Sequence, residues 1–393
     1  MAGAPIGIGF IGHSWMARVH ADAISAIGHL APLPRALRLV SIAGRDAVGV
    51  ERSARELGFG RWTTDWRSVV SDPEVHVVAV LSPTEHHEAA ATAALQAGKA
   101  VLCEKPLGGD AGEAGRMLRA ARASGDLHAC GFNYRFVPAI RLAHQLISTG
   151  RLGELHHFRA SYLQDWARSP TVPRSWRFTA SRPSNGAVGD YSHLLDLMRY
   201  LAGEPLMVSA TASRFVDQRP DPADPTLMLP VETEDAYAAV IELQGGAIAT
   251  LEASRCATGW KGRQRIELSG SAGSLWWDLE DLNRLHVYLT ADEADGLGGF
   301  RDVLVTEADH PFLAMWWNPG HILGWAQTFT HQWREFLGAF VDGRALSSDQ
   351  ASFEDGHRAA VICDAILSAA ETGRRTSIEP TSPPPSAPPG RMK

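Results

Sequence analysis

The sequence predicts an α/β protein in which a domain with a parallel sheet is followed by an α+β domain with an open, mostly antiparallel sheet. Over residues 5–130, short apolar strand segments alternate with helical patterns, which is typical of a parallel sheet covered on both faces. From about residue 133 the strand segments are longer and follow one another, and Gln244-Gly245-Gly246 joins two of them as a hairpin. The length of 393 residues is sufficient for two such domains.

Apolar runs bounded by glycine, proline or charged residues predict the strands of the first domain, assigned to residues 1–132. These strands are expected at 6–11, 37–43, 76–81, 100–103 and 128–132. Helical patterns lie at 17–24, 48–57, 63–70, 85–97 and 110–124. Because strands and helices alternate, we expect right-handed crossover connections.

The second domain is assigned to residues 133–372. Its strands are predicted at 156–165, 207–215, 236–243, 247–254, 263–269, 274–279 and 286–290. Its helices are predicted at 137–148, 189–201, 327–340 and 353–371. The remaining residues, 373–393, form a proline-rich tail that we expect to be disordered.

Composition limits the classes of partner. The formal net charge is −7, from 37 basic and 44 acidic residues, which argues against nucleic acid or an anionic membrane as the partner. No apolar run is long enough to span a bilayer. The four cysteines are scattered without a C-x-x-C pair, so neither a metal site nor a disulfide framework is indicated. We therefore predict a cytoplasmic protein without a bound metal.

The first strand and turn are typical of a Rossmann dinucleotide-binding domain. The visible G-x-G-x-x-G at Gly7, Gly9 and Gly12 is in the wrong register, because Gly7 has almost no strand before it. With the strand at 6–11, Gly12 becomes the turn glycine, and Ser14 and Ala17 take the places of the later glycines. This register predicts that Gly12, Ser14, Trp15 and Met16 contact the cofactor and that Gly7 does not.

The end of the second strand bears on the choice of dinucleotide. A carboxylate there would bind the ribose 2′-hydroxyl of NAD, whereas an arginine accommodates the 2′-phosphate of NADP. Gly44 removes the usual acid and Arg45 is able to reach a phosphate. The pattern favours NADP, although NAD is also compatible. The alternative interpretation is an ordinary solvated turn at Arg45 and Asp46.

Two further strand ends carry candidate residues. Ser82, Pro83, Thr84 and His87 follow the third predicted strand, and Glu104-Lys105-Pro106 follows the fourth. Ligands of such sheets bind at the carboxyl ends of the strands. The Lys105 ammonium there is suited to hydrogen-bond a substrate hydroxyl and stabilise the developing alkoxide. The alternative is a surface ion pair of Glu104 with Lys105 or a neighbour.

A cluster on the predicted helix 189–201 supplies a candidate base. Asp190, His193 and Asp196 have the spacing that places them on one helix face. Asp190 would orient the imidazole, and His193 would accept a proton near neutral pH. The alternative is an N-capping aspartate followed by an unrelated histidine.

The order of these motifs, with Gly131-Phe-Asn-Tyr-Arg135 between them, resembles the Gfo/Idh/MocA (glucose–fructose oxidoreductase / inositol dehydrogenase) family over about residues 5–372. Ser161–Trp166, Ser175–Phe178 and Gly186–Asp190 look most like its levoglucosan-dehydrogenase branch. The resemblance implies that Lys105 and His193 act on the reacting hydroxyl, with Asp190 as their partner. One departure is that the family's D-x-x-x-H is shortened here to D-x-x-H. The resemblance also implies a homodimer or homotetramer.

The predicted cofactor contacts are Gly12, Ser14, Trp15, Met16, Gly44, Arg45, Ser82, Pro83, Thr84, His87, Glu104 and Lys105. The predicted substrate contacts are Tyr134, Asp165, Trp166, Trp176, Arg177 and His193. Aromatic faces pack on sugar C–H groups and polar tips bind hydroxyls, although some of these tryptophans would fit an interface equally.

The resulting hypothesis is an NAD(P)-dependent oxidoreductase. It would transfer hydride between the nicotinamide and a secondary hydroxyl or ketone of a sugar, anhydrosugar or cyclitol. The alternative, suggested by the shortened spacing, is a catalytically inactive NAD(P)-binding sensor or regulatory protein of the same fold.

Overall fold

A computed structural model describes residues 3–379 of the chain. The parallel sheet of the first domain has the strand order β3-β2-β1-β4-β5-β6, with β1 and β4 at its centre. β1, β4 and β5 are buried along their whole length, which explains why their sequences are uninterrupted apolar runs. The strands are β1 Ile6–Ile11, β2 Leu37–Ala43, β3 Arg61–Thr63, β4 Val77–Val80, β5 Ala100–Cys103 and β6 His128–Cys130.

A larger sheet forms the second domain, in the order β16-β15-β14-β13-β7-β12-β11-β8-β17. Its neighbours are antiparallel except for the parallel pair β7 and β12, and β9 pairs separately with β10. Burial alternates residue by residue along β11 and β13, so one face packs on helices and the other is open. The strands are β7 Leu155–Leu163, β8 Pro205–Ser213, β9 Gln218–Pro220, β10 Met228–Pro230, β11 Ala236–Leu243, β12 Ile248–Ser254, β13 Arg263–Gly270, β14 Gly273–Asp278, β15 Arg284–Leu289, β16 Arg301–Leu304 and β17 Thr376–Ser377.

The last two long helices return to the first domain. α9 packs against α1, and α10 packs against α5 and β8. Phe329, Trp333 and Phe336 of α9 belong to the same apolar core as Ile8 and Phe10 of β1. The helices are α1 Trp15–Leu30, α2 Ala47–Leu57, α3 Trp66–Ser71, α4 His87–Gln96, α5 Ala111–Ser124, α6 Pro138–Ser148, α7 Ala187–Asp190, α8 His193–Ala202, α9 Gln327–Asp342 and α10 Phe353–Thr372.

The α/β fold class with a Rossmann domain and a mostly antiparallel second sheet is confirmed, but three local predictions differ from the structure. The short helix predicted within 63–70 is present as α3, but the edge strand β3 that precedes it was not predicted. The helix predicted at 189–201 is split into α7 and α8 by a turn at Tyr191 and Ser192. The tail predicted to be disordered from 373 begins with β17, which pairs with β8 and is followed by the buried Ile378. Residues 380–393 of that tail lie outside the described residues.

Across residues 3–379, no helix combines the length and apolar character needed to cross a membrane. In the same part of the chain, no group of three or more metal-binding side chains comes together. All four cysteines are free thiols, and three of them are buried.

Candidate active site

The turn after β1 brings the main chain of the first domain close to the neighbouring strand end. Gly12 has a φ of 117°, and a Cβ there would lie 2.6 Å from the carbonyl of Leu81, so the position requires glycine. Gly7 lies inside β1, where a Cβ would meet the carbonyl oxygen of Glu74 at 1.7 Å. The strand at 6–11 and the turn at Gly12 are therefore confirmed, and contact of this turn with the cofactor stays a prediction.

A cleft with a volume of about 780 Å³ lies at the carboxyl ends of β1, β2, β4 and β5. The second domain closes its far side with Trp176, Arg177 and Asp190. The predicted site residues that line it are Gly12, Ser14, Trp15, Met16, Gly44, Arg45, Ser82, Pro83, Thr84, Glu104, Lys105, Trp176, Arg177 and Asp190. Such a volume is typical of a small-molecule or cofactor site.

A dinucleotide fits the residues of this cleft. The N-terminus of α1 opens onto it, with Trp15 and Met16 in its first turn, and the N–H groups of a helix start favour a phosphate. The buried hydroxyl of Ser82 has no hydrogen-bond partner within the described part of the chain. A buried hydroxyl without a partner is costly, so a polar ligand at the cleft wall would satisfy it.

At the end of β2, Gly44 makes room for the side chain of His13. A Cβ on Gly44 would lie only 2.0 Å from His13 Nδ1. Asp46 N-caps α2, because its carboxylate accepts a hydrogen bond from the N–H of Val48 at 3.2 Å. Arg45 lines the cleft beside them.

Several cleft-lining residues were not predicted. His13 directly follows the turn glycine in the sequence, and that position was the available signal. Its contact with Gly44 is visible only in the structure. Two others follow β3, the strand that the sequence interpretation missed. The unpredicted residues with polar or aromatic side chains are His13, Asp46, Thr64, Trp66, His86, Ser184 and Asn185.

His87 does not lie where the predicted cofactor contact requires. It is only 1% exposed, and its Nε2 and Nδ1 face the carbonyl oxygens of Ser82 at 2.8 Å and Pro106 at 3.0 Å. Burial lowers the pKa of its imidazole. His87 starts α4 with its side chain turned inward, so it connects two cleft loops from behind, and His86 lines the cleft instead.

Lys105 reaches across the cleft to the second domain. Its Nζ donates a hydrogen bond to the main-chain oxygen of Asp190 at 2.7 Å and lies 3.9 Å from Asp190 Oδ1. Arg177 Nε lies 3.7 Å from the same Oδ1. The shortened spacing of Asp190 and His193 therefore does not separate Asp190 from Lys105, and the alternative of an inactive sensor gains no support.

His193 is a neutral base candidate behind Lys105. Its side chain packs edge-on against Tyr134, with 4.5 Å between the ring centres, and also against Phe132. Burial and, secondarily, the positive charge of Lys105 hold the pKa of His193 well below its ordinary value of 6.5. The imidazole is therefore unprotonated at neutral pH and able to accept a proton.

Asp190 and Asp196, the carboxylates expected beside His193, pair with other side chains instead. The Asp190 carboxylate faces Lys105 and Arg177. Asp196 accepts two hydrogen bonds from the Arg135 guanidinium, at 2.8 and 2.6 Å. The physical reason is the turn between α7 and α8, which breaks the helical register that would have aligned Asp190 with the imidazole.

Of the predicted substrate residues, Trp176 and Arg177 line the cleft, whereas Tyr134, Asp165, Trp166 and His193 do not. Tyr134 is buried beside His193, and its hydroxyl lies 3.0 Å from that of Tyr162. Asp165 does not line the cleft, because its carboxylate accepts hydrogen bonds from Lys261 Nζ at 2.7 and 2.9 Å. Those bonds lower the pKa of Asp165. Trp166 likewise lies outside the cleft, packed against Phe178.

The fold and this cleft define an NAD-binding oxidoreductase. The model for the "oxidoreductase family, NAD-binding Rossmann fold" matches residues 6–132, and the "GFO/IDH/MocA C-terminal domain" model matches residues 140–276. The chain belongs to the Gfo/Idh/MocA family.

Similar proteins match nearly the whole chain. Levoglucosan dehydrogenase of Pseudarthrobacter phenanthrenivorans is 34% identical over 381 residues, covering 93% of this chain and 96% of that protein. A crystal structure of an oxidoreductase domain protein from Kribbella flavida is 38% identical, with a TM-score of 0.91 over 96% of this chain and 100% of that one. Levoglucosan dehydrogenase in complex with NADH and levoglucosan has 34% identity and a TM-score of 0.90, with the same coverage.

Proposed function

We propose that this protein is a dehydrogenase of a carbohydrate secondary hydroxyl, either of a sugar or anhydrosugar or of a cyclitol. The observation that carries the proposal is the 2.7 Å hydrogen bond from Lys105 Nζ to the main-chain oxygen of Asp190 in the cleft. The buried His193 lies near enough to Lys105 for that positive charge to contribute to its lowered pKa. An unprotonated imidazole is able to take the proton of an alcohol, and an ammonium is able to stabilise the developing alkoxide.

In the proposed reaction, His193 takes the proton of the substrate hydroxyl as the carbonyl forms. The Lys105 ammonium donates a hydrogen bond to the same oxygen and stabilises its developing negative charge. Asp190, whose carboxylate Arg177 also approaches, fixes the direction of the Lys105 side chain. The nicotinamide, when bound, accepts the hydride from the carbinol carbon. Ketone reduction uses the same groups in reverse.

The cofactor of the proposed reaction is NAD or NADP. The NADH complex of the similar levoglucosan dehydrogenase supports NAD. Arg45 at the end of β2, with Gly44 in place of an acid, supports binding of a 2′-phosphate and hence NADP. Both dinucleotides are therefore included in the substrate panel described below.

Aromatic and hydroxyl-bearing side chains support a carbohydrate as the substrate. Trp176 lines the cleft, and the buried Tyr134, Tyr162 and Tyr191 lie next to one another behind it. The Tyr191 hydroxyl donates to Gln164 Oε1 at 3.1 Å. The aromatic face of Trp176 suits the C–H groups of a sugar ring.

The test is a substrate panel in which levoglucosan, free sugars and inositols are each incubated with NAD⁺ and with NADP⁺. Absorbance at about 340 nm, where reduced nicotinamide absorbs, should rise with at least one member. Cofactor binding is measured separately by calorimetry. Binding without any reduction would contradict the dehydrogenase proposal and favour a sensor, and the same panel run with ketone products and NADH tests the reverse direction.

A second copy of this chain is the proposed partner in solution. Support comes from the open face of the second sheet, where the side chains of Val240 and Ile248 are about half exposed. A shallow groove of about 640 Å³ crosses that face between β13 and β8. Light scattering should give a dimer or tetramer mass, and a monomer at micromolar concentration would contradict the proposal.

A further inference from the structure

The carboxylate of Glu104 is held from two sides at the wall of the dinucleotide cleft. Its Oε1 lies 3.0 Å from Nε2 of His20, and its Oε2 accepts a hydrogen bond from the main-chain N–H of Lys105 at 3.1 Å. Glu104 is 8% exposed and lines the cleft beside Lys105. The proposed reaction assigns no role to His20.

The hydrogen bond between Trp333 and His20 fixes the proton on the imidazole. Both side chains are fully buried, and the indole Nε1–H of Trp333 donates to His20 Nδ1 at 2.8 Å. Because an indole N–H only donates, Nδ1 must be the acceptor and Nε2 must carry the proton. His20 Nε2–H therefore donates to Glu104 Oε1. Both carboxylate oxygens act as acceptors, which is the pattern of an ionised carboxylate.

The space for this carboxylate is also built into the main chain. A Cβ on Gly131 would lie 2.9 Å from Glu104 Oε1 and 3.1 Å from Glu104 Cα. Glycine at 131 therefore allows the carboxylate to sit where His20 reaches it. Three separate parts of the chain contribute to this arrangement: α1, α9 and the segment after β6.

Lys105 does not neutralise Glu104 through a direct ion pair. Its Nζ donates to the main-chain oxygen of Asp190 on the opposite wall. At a mostly buried side chain such as Glu104, a fixed negative charge acts more strongly on a nearby positive one than it would in bulk water. The oxidised nicotinamide ring carries a positive charge and the reduced ring carries none.

Building on the proposed function, we propose that His20 and Trp333 are positioning residues that hold Glu104 as a fixed anion, which favours the oxidised over the reduced nicotinamide. The consequence is that, on the protein, the equilibrium between alcohol with oxidised cofactor and ketone with reduced cofactor is displaced in the direction of ketone reduction. The oxidised cofactor is stabilised, while the affinity for the uncharged ring is unchanged.

The experiment measures the dissociation constants of NAD⁺ and NADH by calorimetry, without turnover, in the full-length protein. His20→Leu should raise the ratio Kd(NAD⁺)/Kd(NADH) by about tenfold, because the carboxylate loses its fixed donor. His20→Gln should keep the ratio near the wild-type value, because its amide N–H replaces the Nε2–H donor. Equal changes in both constants, with the ratio constant, would overturn the inference and leave His20 a structural role.

A second pair of variants covers the case in which His20→Leu does not fold. Glu104→Gln removes the charge with little change in shape and should raise the same ratio by about tenfold. Glu88→Gln is the matched control, because Glu88 pairs with Arg116 away from the cleft, and it should leave the ratio unchanged. An unchanged ratio in Glu104→Gln contradicts the inference alone, whereas a wild-type protein that binds neither nucleotide contradicts the proposed function as well.

Discussion

The two walls of the cleft are built in different ways. The wall from the first domain consists of turns that follow β1, β2, β4 and β5, so main-chain hydrogen bonds of the parallel sheet fix their positions. The facing wall consists of irregular segments around Trp176 and Asp190, held by side-chain contacts such as the approach of Arg177 to Asp190. We infer that the first wall is sensitive to backbone strain and the second to loss of charge or of buried partners.

Removing the charge that bridges the walls should have the largest effect. Lys105→Met removes the ammonium that contacts Asp190, and kcat should fall about a thousandfold because the developing alkoxide loses its stabilising donor. NAD⁺ affinity should not fall, because removing a positive charge from the cleft does not disfavour the cationic oxidised ring. Steady-state kinetics and calorimetry measure the two quantities.

Lys261→Met is the matched control, because the side chain of Lys261 is 75% exposed and pairs with Asp165 outside the cleft. Its kcat should remain at the wild-type value. Retained activity in Lys105→Met would refute the catalytic assignment.

Breaking the buried ion pair behind the second wall should have the next largest effect. Asp196→Ala leaves the guanidinium of Arg135 without its bidentate partner, and the free energy of unfolding should fall by about 3 kcal/mol, the lower end for such pairs, because Asp355 remains as a partner. Urea denaturation measures the change. Asp217→Ala, at a side chain 82% exposed, is the control and should cost less than about 0.5 kcal/mol. Equal effects of the two variants would contradict this account of α8.

Strain in the first wall should mainly affect cofactor binding. Gly12→Ala forces a Cβ onto a residue with a φ of 117° and against Leu81, so NAD⁺ should bind about tenfold more weakly. Gly28→Ala is the control in the same helix region, because a Cβ there has no atom within 4 Å, and alanine favours the helix. Calorimetric titration compares the NAD⁺ affinities of the two variants. Equal affinities would contradict the assignment of this turn to cofactor binding.

The pH dependence of kcat/KM reports on His193. Its active form is the neutral one, which is present above its pKa, and burial holds that pKa well below 6.5. The plateau should therefore extend from about pH 8 down to 6.5, and the decline should begin only at lower pH. An acid limb centred above 6.5 would show that His193 is not the base.

The same shift links His193 to stability. Between the lowered native pKa and 6.5, the unfolded state binds more protons at His193 than the native state does. The contribution of His193 to the free energy of unfolding should accordingly decrease as the pH falls below 6.5. Denaturation at several pH values, compared with His193→Asn, isolates this contribution.

The smallest effect is expected where the second wall ends. Asp165→Asn alters a carboxylate that binds Lys261 and the N–H of Gly259 rather than the cleft, so KM for the substrate should change by less than about threefold. Substrate titrations of Asp165→Asn and wild type test this boundary. A tenfold rise in KM would extend the substrate wall to Asp165.

Residues on the two walls also differ in how well the sequence predicts them. The strands at 6–11, 37–43 and 100–103 were predicted with the bounds that the structure has, because each is a mostly apolar run closed by a turn. The turn register at Gly12 followed from the same runs. The residues at those strand ends line the cleft. His87, which follows β4 and starts α4, is instead turned inward by the helical rotation.

The second wall depends on contacts between distant parts of the chain. The helical periodicity of the sequence continues without a break between Asp190 and His193. It therefore gives no sign of the turn that separates these two residues in the structure. The side chain of Asp165 is turned away by Lys261 and Gly259, more than 90 positions later. A local pattern contains no information on such partners. For the same reason the sequence offered no role for His20, whose partner Trp333 lies 313 positions away.

The position of α9 limits how the chain can be cut into fragments or recombined with relatives. Phe329, Trp333 and Phe336 complete the core around β1, although they come almost at the end of the described sequence. A fragment cut at residue 132 would expose this core and lose the donor that fixes His20, so we expect it to aggregate rather than bind dinucleotide. Exchange of cofactor specificity between relatives by recombination would therefore have to transfer α9 together with the N-terminal segment, as one discontinuous module.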